Sequence, residues 1–205
     1  MTSKLIRRSV ATTAIAVLAM SGAGVAAAEA SPAPAAGAAA TVQRAITTIP
    51  DVAPSQMAGW PIAWDLGQTP NIAPIMRAQR CDPVNPDGLA PTAGRNWAYF
   101  DASDGDNLTK MSADLTVTGW ANGRQALRAM RTDGGRCTLM PGWHEVPWAG
   151  TSKSTHLMLK NGKQYAAVVV KGNYLVSASI WAGHHTAAES RAVAITGAAE
   201  TVANL

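Results

Sequence analysis

Residues 155–181 read THLMLKNGKQYAAVVVKGNYLVSASIW, which is three apolar segments separated by two turn signals. Asn161-Gly162 favours a type I′ turn, because that turn needs positive φ at both central residues. Gly172-Asn173 favours a type II′ turn, in which glycine supplies the positive φ at the first position. The pattern predicts a three-stranded antiparallel meander.

A two-residue loop at the second turn fixes the register of the last two strands. The pairs expected to lie opposite each other are Val170 and Leu175, Val169 and Val176, and Ala167 and Ala178. Residues 166–170 are apolar at every position. They therefore predict a central strand that is covered on both faces.

A helix-start signal follows the meander at Thr186-Ala-Ala-Glu189. In this capping box the Thr hydroxyl and the Glu carboxylate each satisfy an amide that the first helical turn leaves unpaired. We therefore expect the closing helix to begin there. Its expected sheet-facing stripe consists mainly of small side chains, which permit close packing: Ala188, Ala192, Ile195, Ala199 and Val202.

Further elements are expected upstream of the meander. Strand character occurs over 96–101 and again over 111–119, where apolar and polar residues alternate. Asn122 can cap a helix that runs to about Thr132. Its expected buried residues are Ala126, Leu127 and Met130. Residues 41–95 contain eight prolines, so only short turns and coil are expected there.

These elements predict an α+β fold, with an antiparallel sheet that ends in the meander and helices packed on it. The domain is expected to span 55–205 and to be monomeric. The Ala/Pro-rich stretch 31–54 is expected to be a flexible spacer, since it has few bulky apolar groups to bury. Residues 1–30 carry a basic start, a short apolar run and small-residue cleavage sites, so they predict an export signal peptide.

The compartment and charge limit the function. The apolar run of the signal is too short to span a bilayer, and we expect no transmembrane span in the mature chain. Loss of Lys4, Arg7, Arg8 and Glu29 lowers the net charge from +4 to +2. So weak a charge does not suggest a nucleic-acid partner. The exported protein is expected to be secreted, and its two cysteines, Cys81 and Cys137, to form a disulfide.

No catalytic signature is present: the sequence contains no GxSxG, HExxH, GxGxxG, SxxK or Walker motif. His184 and His185 are adjacent, and in an extended segment they point to opposite sides, so we expect neither a metal site nor a cofactor. Arg124, Arg128 and Arg131 share one face of the predicted helix. They form either a solvated basic face or a site for an anionic envelope ligand.

Tryptophan is unusually common, with seven Trp against one Phe. Most of the indoles are expected in the core, but an exposed indole can stack on a sugar ring or dock a partner. Trp143 and Trp148 are the expected exceptions, because both lie in the Gly/Pro-containing loop 141–150. With His144 they form the candidate ligand-binding site.

The segment Tyr165–Ala178, the helix expected just before Cys137, and Trp148-Ala149-Gly150 resemble the PknH-like extracellular sensor domain of actinobacterial receptor kinases and secreted proteins. The resemblance covers about 55–204. It implies an α/β sandwich in which an antiparallel sheet carries helices and encloses a cleft for an unidentified envelope ligand. Many members carry two disulfides, whereas this chain has cysteines for one.

The sequence thus predicts a secreted domain that binds a ligand or partner in the cell envelope or outside it, without evident catalysis. One alternative is a secreted hydrolase whose site is built from scattered His, Asp and Ser residues. A second alternative is an inhibitor of extracellular proteases, with Arg80-Cys81-Asp82-Pro83 as its reactive segment.

Overall fold

The computed structural model describes residues 45–82, 89–100, 111–131, 137–181 and 185–205. The strands in these ranges are β1 (Gln56–Met57), β2 (Trp60–Gln68), β3 (Gln79–Cys81), β4 (Ala93–Phe100), β5 (Met111–Gly119), β6 (Cys137–Leu139), β7 (His144–Val146), β8 (His156–Asn161), β9 (Gln164–Lys171) and β10 (Tyr174–Ile180). The helices are α1 (Gly123–Arg131) and α2 (Ala187–Asn204).

Within the described ranges, eight strands form one sheet in the order β1-β2-β4-β5-β10-β9-β8-β7, and β3 pairs with β6. All of these pairings are antiparallel. Helices α1 and α2 pack on the sheet, so the predicted α+β fold with a C-terminal meander is confirmed.

The meander follows the predicted register between β9 and β10, where Val169 lies opposite Val176 and the other two pairs also match. The first turn is displaced by one residue from its predicted position. Asn161 pairs with Gln164, so the loop consists of Gly162 and Lys163. Gly162 has a φ of 58°, which places glycine at the first loop position as a type II′ turn requires.

Each face of the sheet has its own hydrophobic core. Ala167 and Val169 of β9 belong to the cluster beneath α2, on what we term the α2 face. Ala166 and Val168 of the same strand belong to the cluster beneath α1, on the α1 face. Successive side chains of a strand point to opposite faces, so the apolar run 166–170 of β9 supplies both cores. The predicted central strand with two covered faces is confirmed.

Helix α2 begins at the predicted capping box, with the Thr186 hydroxyl and the Glu189 carboxylate bonded reciprocally to backbone amides. Its predicted buried stripe is wrong for Ala188, Ala192 and Ala199, which are exposed, whereas Ile195 and Val202 are partly buried against the core. The residues that face the sheet are Ser190, Ala194, Gly197, Ala198 and Thr201. A Cβ on Gly197 would lie 2.8 Å from the Met57 Cε, so glycine is what permits this close approach.

Helix α1 has the predicted cap and the predicted buried side. The Asn122 Oδ1 accepts a hydrogen bond from the Gln125 amide at 3.0 Å. Ala126, Leu127 and Met130 are buried beneath the helix. A helix of this length is marginally stable by itself, so packing of its apolar side on the sheet stabilises it.

Two predictions for the N-terminal part of the domain need correction. The last residues of the supposed spacer belong to the folded domain, because Ile49 and Val52 are buried in the α2-face core. The expectation of only short elements over 41–95 is wrong for β2, which has nine residues. Pro61 lies opposite Gln56 of the two-residue strand β1, at the edge of the sheet, where proline is tolerated.

Candidate functional site

The predicted disulfide is present and joins Cys81 to Cys137. The two cysteines lie directly opposite each other in the β3–β6 pair. The bridge therefore ties the segment that follows β2 to the chain that follows α1. A disulfide of this kind is typical of proteins in oxidising compartments.

The loop 141–150 borders a surface pocket of about 150 Å³ at the β7 edge of the sheet. One wall is apolar and includes Val146, Pro147, Trp148 and Met158. A polar wall includes Arg131, Glu145, Lys153 and His156, and it meets the apolar wall where the His156 ring contacts that of Trp148. Such a pocket fits a small group that has an apolar face and a polar edge.

Arg131 fixes the polar wall. Its Nε donates to both carboxylate oxygens of Glu145, at 3.2 and 3.1 Å. Its terminal nitrogens donate to the carbonyls of Lys153 and His156. One guanidinium thus joins α1, β7 and the turn that precedes β8. The predicted basic face of α1 therefore includes one arginine, Arg131, whose side chain holds these three segments together.

Trp148 forms the apolar wall and is half-buried. Its ring meets the His156 ring edge-on, with centroids 5.0 Å apart. The His156 Nδ1 lies 2.9 Å from the Thr155 hydroxyl, so the imidazole is oriented from its other side as well. The Trp148 carbonyl accepts from the Thr151 hydroxyl at 2.7 Å, which closes the turn beneath the indole. These contacts hold both rings in place.

The three predicted ligand-binding residues are not brought together. Trp148 lines the pocket, but Trp143 is only 8% exposed and belongs to the α1-face core. His144 is exposed on β7, and its Nδ1 lies 3.2 Å from the Gly142 carbonyl. The prediction that Trp143 is an exposed exception is therefore wrong. The exposed indoles are Trp64 at 42% and Trp181 at 52%.

His156 is the pocket residue that sequence reasoning missed as a partner of Trp148. The two residues come from different elements, and nothing local in the sequence links them. Among the described residues no group of three or more His, Cys, Asp or Glu side chains could hold a metal. His184 lies outside the described ranges, whereas the His185 ring lies 5.1 Å from that of Trp60.

A buried ion pair on the α1 face was also missed. The Arg77 Nε donates to the Asp114 Oδ2 at 2.6 Å, and Asp114 is only 3% exposed. Burial raises the pKa of Asp114, and the charge of Arg77 opposes that rise. The pair joins residues 37 positions apart in the chain. The sequence carried little signal for this pair, because the alternation in 111–119 places Asp114 on the face opposite to Ala113, Leu115 and Val117.

No family model matches the chain, and a search of the curated proteins finds no match either. Within the described ranges, no helix has both the length and the apolar character needed to cross a membrane. Since these comparisons give no family, the protein is characterised by its fold and its pocket. It is an α+β domain with a disulfide, an eight-stranded antiparallel sheet and a small amphipathic pocket at one sheet edge.

Proposed function

We propose that this protein is a secreted binding domain of the cell envelope or the extracellular space, and that it holds its ligand in the Trp148 pocket without transforming it. The observation that carries the proposal is the preformed pocket, with an indole on one wall and hydrogen-bonding groups on the other. The disulfide supports an oxidising location. We also propose that the protein is related to the PknH-like sensor domains and that residues 1–30 direct its export.

The arrangement of the polar wall favours binding over catalysis. A hydrolase would need an activated nucleophile, a base and a group that orients the base. The Thr155 hydroxyl lies 2.9 Å from the His156 Nδ1, but the nearby Glu145 carboxylate, which could orient such a base, is bonded to Arg131 instead. These groups keep the walls in fixed positions, which lowers the ordering cost of binding.

The pocket size limits the ligand to a small portion of a larger molecule. A volume of about 150 Å³ admits an acetamido group or one short side chain. The apolar part of such a group would pack on Trp148, and its polar atoms would face Lys153 and His156. Envelope glycopeptides present groups of this kind.

The experiment is retention of the protein on purified cell wall, with Trp148→Ala as the variant and Ile62→Ala as the matched control. Ile62 is 37% exposed and lies on β2, far from β7 in the strand order. We expect Trp148→Ala to lose retention at least fivefold and Ile62→Ala to retain it. Thermal unfolding checks that both variants are folded. Equal retention of the two folded variants would refute the proposal.

A further inference from the structure

The α1 face of the sheet has an apolar half and a polar half. The apolar half lies on β8 and β9 beneath α1. The polar half lies on β4, β5 and β10, and its buried polar side chains are Asn96, Asp114, Thr116, Thr118, Ser177 and Ser179. Within the described residues the Ser177 hydroxyl has no hydrogen-bond partner. Buried hydroxyls are usually hydrogen-bonded, so the partner of this one is expected to be a water molecule or a ligand.

One row of paired residues crosses the polar half and reaches β2. Trp64 lies opposite Ala98, Ala98 opposite Asp114, and Asp114 opposite Ser179. Directly opposed residues point to the same face of a sheet. The Trp64 indole and the Asp114 carboxylate are therefore on the α1 face, separated only by the small side chain of Ala98.

The neighbour of Trp64 confirms this orientation. Asp65 lies opposite Trp97, whose side chain is in the α2-face core. Asp65 also bonds to Arg95, which lies over the Trp97 ring. Since successive residues alternate, Trp64 must point to the α1 face.

Arg77 and Trp181 complete the group of side chains. Trp181 follows β10 two residues after Ser179, which places it on the same face. The Arg77 guanidinium lies 5.7 Å from the centre of the Trp181 ring. Arg77 is 14% exposed above the buried Asp114. Two exposed indoles thus flank an anchored ion pair.

We propose that Trp64, Arg77 and Trp181 form a second binding site, and that its ligand is a neutral oligosaccharide. The apolar C–H faces of sugar rings can pack on the two indoles. Asp114 holds Arg77 in place and cancels its charge, so the site does not select an anion. A neutral saccharide fits this site because each sugar ring has an apolar face for an indole, polar edges and no net charge.

The spacing of the indoles indicates a chain rather than a single sugar. Strands β2 and β10 are three places apart in the sheet, which corresponds to about 14 Å at the usual strand spacing. This is longer than one sugar ring. The site is also distinct from the Trp148 pocket, which lies beside β7 at the other end of the sheet.

The test is calorimetric titration of the full chain with neutral hexasaccharides that carry no acetamido group: cellohexaose, maltohexaose and laminarihexaose. Hexagalacturonate serves as the acidic counterpart. We expect saturable binding of at least one neutral hexasaccharide. Trp64→Ala and Trp181→Ala should each weaken it about tenfold, the loss typical of one aromatic contact and its buried area. Ile62→Ala is the matched control, since Ile62 is 37% exposed and lies opposite Tyr99, whose side chain is in the α2-face core.

Three results would overturn the proposal. The first is no saturable binding of any neutral hexasaccharide, and the second is tighter binding of hexagalacturonate than of every neutral probe. The third is unchanged affinity in both Trp64→Ala and Trp181→Ala when near-ultraviolet circular dichroism shows them folded. Trp148→Ala should leave this affinity unchanged. That variant separates failure of this site from failure of the pocket proposed above.

Discussion

Replacing Arg77 by Met should destabilise the protein because it leaves the Asp114 carboxylate buried without its cation. The two side chains are 14% and 3% exposed, and their 2.6 Å contact is largely screened from water. Breaking a buried pair by removing one partner costs about 3–5 kcal/mol. Because Arg77 retains some exposure, we expect a loss of about 3 kcal/mol in the free energy of unfolding at pH 7. This corresponds to a fall of about 6–12 °C in Tm.

The same variant should show a characteristic pH dependence. Burial raises the pKa of Asp114 above its ordinary value of 3.8, and Arg77 opposes that rise. Without Arg77 the pKa in the folded state rises further. A carboxyl with a raised pKa binds protons more readily when folded, so stability falls as the pH rises through that value. The loss in the free energy of unfolding caused by Arg77→Met should therefore be largest at pH 7 and become smaller as the pH is lowered.

Urea denaturation at pH 7 and at pH 4.5 measures both effects. Arg95→Met is the control, because its partners Asp65 and Asp51 are 35% and 68% exposed and such pairs contribute under about 1 kcal/mol each. The double variant Arg77→Met/Asp114→Leu should recover most of the loss, since it removes the buried charge as well. If Arg77→Met lowers the free energy of unfolding by less than about 1 kcal/mol, the claim that the buried ion pair is needed for stability is wrong. A loss that does not change with pH would contradict it as well.

Two further predictions concern packing and the disulfide. Gly197→Val should cost about 1–3 kcal/mol, because its side chain would overlap Met57, whereas Ala199→Val on the exposed side of α2 should change stability little; equal effects in urea denaturation would contradict the packing. Replacing Cys81 and Cys137 together by Ser should cost about 4 kcal/mol, as the chain-entropy model gives for a 56-residue separation. A loss under about 1 kcal/mol in the same measurement would show that the bridge does not stabilise the fold.

The parts of the fold that were predicted correctly are those specified by neighbouring residues. The meander depends on Gly172 and on an apolar segment, and the α2 start depends on four consecutive residues. Both signals are complete within one stretch of sequence. The buried side of α2 was not predictable in this way, because small residues occur all around the helix. Close approach at Gly197, set by Met57 from a distant strand, decides which side faces the sheet.

The candidate site depends mostly on distant contacts, and sequence reasoning found only part of it. Trp148 was identified from its loop, but its partner His156 comes from the following strand. Trp143 was misplaced because a loop position does not reveal whether an indole turns into the core. The Arg77–Asp114 pair depends on the path of the chain between β2 and β3. That path is set by packing, such as the contact of Ile72 with Gly94 on β4.

The central claim is that the Trp148 pocket binds an envelope group without transforming it. The most direct test is an NMR titration of the indole N–H signals with muropeptides released by muramidase digestion of cell wall. The account predicts a saturable shift of the Trp148 signal that disappears in Trp148→Ala, with the muropeptides recovered intact. An unmoved Trp148 signal at millimolar muropeptide, or conversion of the muropeptides to products, would contradict it.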